Sequence, residues 1–279
     1  MIEASKDYKV LFIGDAIIDE YVYVTPLGKS PKENLIPVRY DDHEEFEGGT
    51  DAASKHAMSF VKEVVVFRPG TTTRKRRFVE KTYLRKLFEV HSTEGMKKVA
   101  DPKYQDYDIV VVTDFGHGAI TSEMIRKMTM EAKFLAVCAQ TNSANVGFNL
   151  ITKYPRADYI CIDEPEARLA AADRDSPIEK VILKLAVGRC ERFVVTHGSE
   201  GAVGWDGDDF YKSPAFTDRV VDTMGAGDAF FAVTALLAKS CPMPELLRIG
   251  NASGALKTQI VGHRSPVTKE ALLDYLRTH

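Results

Sequence analysis

Long apolar runs are missing from this chain. No segment approaches the roughly 20 apolar residues that cross a bilayer, and the opening stretch MIEASKDYKVLFIGD has no apolar run of secretion-signal length. A cytoplasmic protein with no membrane partner is therefore expected. Net charge is also scarce: 37 basic against 40 acidic side chains leave −3, so no global field draws the chain toward nucleic acid or anionic lipid. Any partner must be recognised locally. The four cysteines, Cys138, Cys161, Cys190 and Cys241, are far apart and form no CxxC pair, which leaves buried free thiols rather than a thiolate metal site. The seven histidines show no paired spacing, so His117, set among glycines, is not expected to ligate a metal. No internal repeat, low-complexity tract or Ser/Pro-rich linker divides the 279 residues, and a single domain is expected.

What is present alternates. Short runs rich in Val and Ile, at 9–15, 108–114, 134–140, 159–163 and 192–198, read as strands buried on both faces. Helical patterns lie between and after them, at 121–132, 164–172, 177–188, 225–239, 244–260 and 268–277. Strand alternating with helix predicts an α/β fold, a mostly parallel sheet covered by helices on both sides. Two stretches break the rhythm, 21–49 and 71–92, both β-prone and rich in charge. In the second, Phe78, Tyr83 and Leu87 alternate with Lys81, Arg85 and Glu89, which predicts exposed strands outside the main sheet.

The most informative segment is VVDTMGAGDAFF, residues 220–231. After a strand-like RVV at 219–221, a bare turn leads into AFFAVTALLA, apolar on nearly every face and so a buried helix. A helix start leaves backbone N–H groups unpaired and carries partial positive charge, and Gly225, Ala226 and Gly227 let a phosphate approach it. A carboxylate beside a polyanion is repelled, so Asp228 makes sense as a base that accepts the proton of an attacking hydroxyl. As a purely structural residue it would be a first-turn partner of the helix dipole.

DTMGAGD resembles the C-terminal motif of the ribokinase-like (PfkB) carbohydrate kinases, and other matches follow in order. VVTHGSEGA (194–202) resembles that family's segment near the nucleotide, and GNASGALKTQIVG (250–262) its late helix beside the adenine. VLFIGDAIIDEYVYV, SPKENLIPV, EGG and TDFGHGAI are closest to the heptose-phosphate kinase domain of bacterial ADP-heptose synthesis. The resemblance implies a three-layer ribokinase-like fold over 1–279 with a small β lid at about 21–49 and 71–92. It implies an ATP-dependent kinase of a sugar or sugar phosphate, working with Mg2+ and, as in relatives, with a monovalent cation near Asp222. Asp228 would be the catalytic base and the amides of Gly225, Ala226 and Gly227 the anion hole. Thr196, Gly198, Gly201, Asn251 and Ala255 would face the nucleotide, and Asp19, Gly48, Gly49, Asp51 and Asp114 the sugar. Asp163 and Glu166 would order the magnesium shell through water, and lid strands would pair two subunits into a homodimer.

The chain also departs from that pattern. Asp51 replaces the Asn usual after the double glycine, Asp163 stands where the magnesium motif begins with Asn, and His117 replaces a Lys. AQTNSAN (139–145) replaces an acidic-Pro-Lys strand end, and a βα unit of roughly 30 residues ahead of the second lid strand is missing. These changes keep open a second reading, a catalytically silent nucleotide- or sugar-binding subunit, and a third, a module of a larger biosynthetic protein. Asp163 and Glu166 are equally a helix-start dipole pair, and Asp114 is either a substrate contact or a helix-capping residue. The DFG at 114–116 lacks the loops that accompany it in protein kinases. TRKRRFVEKTYLRK (73–86) is either a solvated strand face, a nucleic-acid patch or a source of sugar-phosphate contacts from Arg74, Arg76, Arg77 or Arg85. The overall acidity argues against nucleic acid.

Overall fold

A computed structural model describes residues 2–97, 100–143, 145–216 and 220–279. In chain order the strands are β1 (Lys9–Gly14), β2 (Ala16–Pro26), β3 (Val38–Gly48), β4 (Glu63–Phe67), β5 (Gly70–Glu80) and β6 (Arg85–Lys97). They continue with β7 (Ile109–Asp114), β8 (Leu135–Ala139), β9 (Tyr159–Asp163), β10 (Arg192–Thr196), β11 (Ala202–Trp205) and β12 (Phe210–Ser213). The helices are α1 (Gly49–Ala57), α2 (Ser122–Glu131), α3 (Glu164–Ala171), α4 (Ile178–Ala186), α5 (Ala226–Leu237), α6 (Met243–Thr258) and α7 (Lys269–Thr278). No helix among the described residues is long and apolar enough to cross a membrane.

Eight strands form the main sheet in the order β12-β11-β10-β9-β8-β7-β1-β4. Six of them, from β10 to β4, run parallel, and β11 alone runs against them, pairing antiparallel with both β10 and β12. The Val/Ile runs form the central strands because parallel pairing buries both faces: β7 is buried at every position. Alternate strand residues feed two separate cores. Val10, Phe12, Val111 and Val194 pack with α1, α5, α6 and α7 on one face, while Leu11, Val110, Val112 and Val195 pack with α2, α3 and α4 on the other.

The two charged stretches build a second sheet, β3-β2-β5-β6, with β2 and β5 parallel and the outer pairs antiparallel. This is the expected lid. A turn at 81–84 interrupts the alternation read from the sequence, so Phe78 pairs and stacks with Phe88, ring centroids 4.4 Å apart, rather than lining up with Tyr83 and Leu87. Three strands escaped the sequence reading: β4, which closes the main sheet's edge beside β1, and the β11–β12 hairpin. After β4 only Arg68 and Pro69 precede β5, so the chain enters the lid directly. The strand expected at 219–221 is not found: Arg219 lies outside the described residues, and Val220 and Val221 are irregular, with the Val221 and Asp222 amides bonded to the Thr258 carbonyl.

Candidate active site

The C-terminal ends of the parallel strands and the start of α5 enclose a cavity of about 210 Å³. Gln140 and Thr141 beyond β8, Asp163 at the end of β9, Glu166 on α3, Thr196 at the end of β10, and Gly225, Gly227 and Asp228 line it. Residues expected from three distant parts of the sequence, at 163–166, 196 and 225–228, thus share one opening with Gln140 and Thr141, which were not expected there.

Gly225 caps α5 with φ +73°, a left-handed conformation open to glycine, and a side chain there would run into His263 at 2.9 Å. Gly227 has open space where a side chain would stand. The Ala226 amide donates to the Thr223 carbonyl at 3.3 Å, a long bond that a better acceptor can displace. Asp228, in the first turn, is half-buried and accepts from Gln140 Nε2 at 2.6 Å. Burial pushes its carboxyl above the usual range, against the pull of His263, Gln140 and Lys75. Gln140, from the segment that departs from the family pattern, therefore orients the acid; its place at a strand's C-terminal end was the only signal for it.

Asp163 caps α3 in a reciprocal box: its side chain accepts from the Glu166 amide at 2.8 Å, and Glu166 accepts from the Asp163 amide at 3.0 Å. Glu166 also accepts from the Thr141 amide at 2.8 Å and is 7% exposed. Burial, with the charges of Asp163 and Asp228, pushes its carboxyl up to about 8. A divalent cation relieves such crowding, and Thr141 Oγ1 is buried there without a partner, so the residues fit a hydrated Mg2+. Among the described residues no three His, Cys, Asp or Glu side chains form a metal cage.

Of the residues expected to face the nucleotide, Asn251 donates from Nδ2 to the Ser213 and Pro214 carbonyls, both at 3.0 Å, and so ties down the chain after β12. Gly201 (φ +96°) is required by packing, since a Cβ would lie 2.1 Å from the Ser213 carbonyl oxygen. Gly198 stands in the open, and Ala255 is buried on α6.

The residues expected to face the sugar differ most from expectation. Asp19, 4% exposed at the lid base, pairs with Arg77 Nη1 and lies 3.4 Å from His263 Nε2. Burial raises its carboxyl, but the hydrogen bond from His263 and the Arg77 guanidinium outweigh that and hold it down at about 2. Gly48 fits against it, because a Cβ there would overlap the Asp19 carboxylate, and Gly49 (φ +56°) opens α1. Asp51 is committed elsewhere: Arg68 Nε donates to both its oxygens at 2.6 and 2.7 Å. Asp114 is 2% exposed and bound by Tyr154, Lys153, Asn149 and the Gly116 amide, so its substrate role gives way to a structural one in the loop after β7. Beside it, Asp15 accepts from the Phe115 and Ala119 amides, at 2.8 and 3.1 Å, and burial with the Asp114 charge raises it to about 6.

The lid's alternation selects among the arginines. Thr73, Lys75, Arg77 and Val79 face inward on β5, while Arg74 and Arg76 engage Glu20 on the outer face and Arg85 lies against the exposed Tyr83 ring. Lys75, 9% exposed, escaped notice in the sequence because neighbouring lysines and arginines share its composition. Its charge acts on Asp19, Asp228 and His117. His117 Nε2 is buried without a partner, and burial and Lys75 push that ring down to about 4, so it is neutral near pH 7.

The family model for pfkB family carbohydrate kinases matches residues 79–270 of the chain. The bifunctional protein HldE of Rhodopseudomonas palustris (strain BisB18) is 27% identical over 301 residues, which cover 88% of this chain and 59% of that protein. The chain thus spans less than two thirds of that relative. Ribokinase from Thermotoga maritima superposes with a TM-score of 0.74 at 16% identity, over 97% of this chain and 99% of that one. Phosphofructokinase-2 from Escherichia coli in complex with potassium gives 0.69 at 14%, over 98% and 99%. At such identities the likeness of structure establishes the ribokinase-like fold.

Proposed function

The chain belongs to the pfkB family of carbohydrate kinases, and from that premise we propose that it transfers the γ-phosphoryl group of ATP to a hydroxyl of a sugar phosphate. One observation carries the reading: Asp228 shares its cavity with the open helix start at Gly225–Gly227 and with the acidic pair Asp163 and Glu166. The acid, raised by burial, is held by Gln140 with its remaining lone pairs free to accept the hydroxyl proton. The deprotonated oxygen attacks the γ-phosphorus, the bond to ADP breaks, and charge gathering on the phosphoryl oxygens meets the amides and dipole of α5. Glu166 and Asp163 would order the water around a Mg2+ ion bound with ATP, and that ion would supply positive charge to offset the phosphates. The adenosine end of ATP lies toward Thr196, Gly198, Gly201, Asn251 and Ala255.

An anionic acceptor suits the cleft between lid and body. Arg77 is shared there between Asp19 and Glu89, whereas Lys75, buried beside it on β5, has no carboxylate within ion-pair distance among the described residues and is the cation left to meet a phosphate. Gly48 and Gly49 hold the strand-to-helix turn beneath it. The heptose-phosphate type of acceptor, suggested by the sequence resemblance and by the HldE relative, belongs to this class. We place the enzyme in the cytoplasm and as a homodimer joined through the lid, whose outer face exposes Phe88 and Val90 by 50% and 47%.

Asp228→Asn tests the reading. It keeps the hydrogen-bonding shape and removes the base, so kcat on a sugar-phosphate panel should fall about 10²–10⁴-fold while calorimetric binding of a Mg2+–ATP analogue stays within about threefold. Turnover by the variant at the wild-type rate would remove Asp228 from the chemistry. ATP analogue binding with no consumption by the wild type across the panel favours the silent-subunit reading instead.

A further inference from the structure

Lys257 is an unusual buried charge. It lies near the end of α6 with no exposed surface, among residues that otherwise build the core. Its Nζ donates to the carbonyls of Met224 at 2.8 Å and Gly262 at 2.7 Å, with the Ile260 carbonyl at 3.5 Å. An ammonium has three hydrogens, and each has a carbonyl to meet. Among the described residues no carboxylate lies within ion-pair distance of it, although Asp222 and Asp228 act on it electrostatically. Burial draws the ammonium below its usual range, so a neutral group of this length would fill the space at less electrostatic penalty.

The two strong acceptors explain the placement. Met224 immediately precedes Gly225, the cap of α5, and Gly262 closes the turn that carries His263 against Asp19. Asp222 stitches the same two turns through their amides, accepting from Met224 at 3.1 Å and Gly262 at 2.9 Å. Lys257 completes the stitch through their carbonyls. Its Cε would lie 3.4 Å from a side chain at Gly225, so the charge stands directly behind the anion-binding helix start. Backbone carbonyls converging on one positive centre are the ligand chemistry of a potassium or ammonium ion.

We propose that Lys257 is a tethered monovalent cation: its ammonium holds the 222–225 and 260–263 turns together as the floor of the phosphoryl cradle, so that the protein needs no free potassium, sodium or ammonium there. This rests on the reading of the α5 start as that cradle. Lys257 is a positioning residue, and the monovalent cation expected from family resemblance is replaced by the chain's own side chain.

The test compares wild type, Lys257→Ala and Lys257→Met in potassium, ammonium, methylammonium or tetramethylammonium chloride at equal ionic strength. Melting temperature and amide exchange of residues 222–228 are read without acceptor, and ATP consumption on a sugar-phosphate panel is read in parallel. Wild type should melt and turn over alike in all four salts. Lys257→Ala should melt lower and exchange faster in tetramethylammonium, and small cations should restore its stability and, where turnover exists, raise its rate about tenfold or more. Lys257→Met, with the space filled and no charge, should fold but show neither rescue. A wild-type protein that itself requires potassium, a Lys257→Ala protein indifferent to salt, or a Lys257→Met protein that small cations rescue overturns the proposal. If Lys257→Ala does not fold in any salt, rapid cation-independent exchange of 222–228 in Lys257→Met supports it, and wild-type protection there overturns it. Absence of turnover by wild type in every salt would count against the kinase reading and leave the cation-dependent melting to judge the lysine.

Discussion

His56 shows what burial does to a single ring. It is 2% exposed, its Nδ1 accepts from the Val267 amide at 2.9 Å, and burial, with the charges of Lys257 and His263, pushes it down to about 3. In the unfolded chain the ring takes its proton near pH 6.5, whereas in the folded chain it stays neutral until far lower. Its contribution to stability is therefore present above about pH 6.5 and is lost as acidification proceeds toward pH 3. By pH 5 the loss from this residue should reach ~2 kcal/mol. Urea unfolding at pH 7 and pH 5 checks it: His56→Gln, which can still accept from Val267, should lose less than wild type by that amount. Equal losses would show that the ring titrates normally. Single residues were also where the sequence was least legible. Asp228 and its turn declare themselves by residue type and order, but Gln140, Lys75, His263 and Lys257 earn their places only through partners distant in sequence, 88 residues away for Gln140 with Asp228 and 33 for Lys257 with Met224, which no local pattern encodes.

At the scale of elements, α3 and α5 carry opposite lessons. α3 has a full capping box at its start but ends at Ala172 in the left-handed region, φ +48°, on an exposed position. Ala172→Gly should remove that strain and raise stability by ~0.5–1 kcal/mol in chemical denaturation. A loss of stability would mean that Ala172 has a packing role its exposure does not show. α5 and α6 pack so closely that a Cβ on Gly250 would stand 2.5 Å from the Phe230 ring. Gly250→Ala should therefore destabilise by ~1–3 kcal/mol, and unchanged denaturation midpoints would show that the ring can swing aside. The main helices and the buried strands were legible because periodicity and Val/Ile runs report burial directly. β4, β11 and β12 were not, because short, half-buried strands at a sheet's edge have little apolar contrast: β4 has one exposed and four half-buried positions.

For the whole molecule, the apolar outer face of the lid bears on assembly. Phe78 and Phe88 stack there, with Val90 beside them, against a setting of paired charges such as Arg76 with Glu20. Phe88→Asp should convert the proposed dimer to a monomer in sedimentation at micromolar concentration while leaving the near-ultraviolet spectrum of the body, with its single Trp205, unchanged. Wild type sedimenting as a monomer would remove the dimer from the description. Fold class and lid were both foreseeable at this scale, since the change from buried runs to charged alternation marks where one sheet gives way to another. The way the two sheets join was not. β1 becomes β2 across Asp15 alone, and β4 becomes β5 across Arg68 and Pro69, while β1 lies beside β4 and β2 beside β5. Two neighbouring ribbons crossing at the same level act as a double-pinned hinge: the upper sheet can swing about the line through both pins but cannot slide or twist on it. Rotation about that line is the relative movement that two such short connections restrain least.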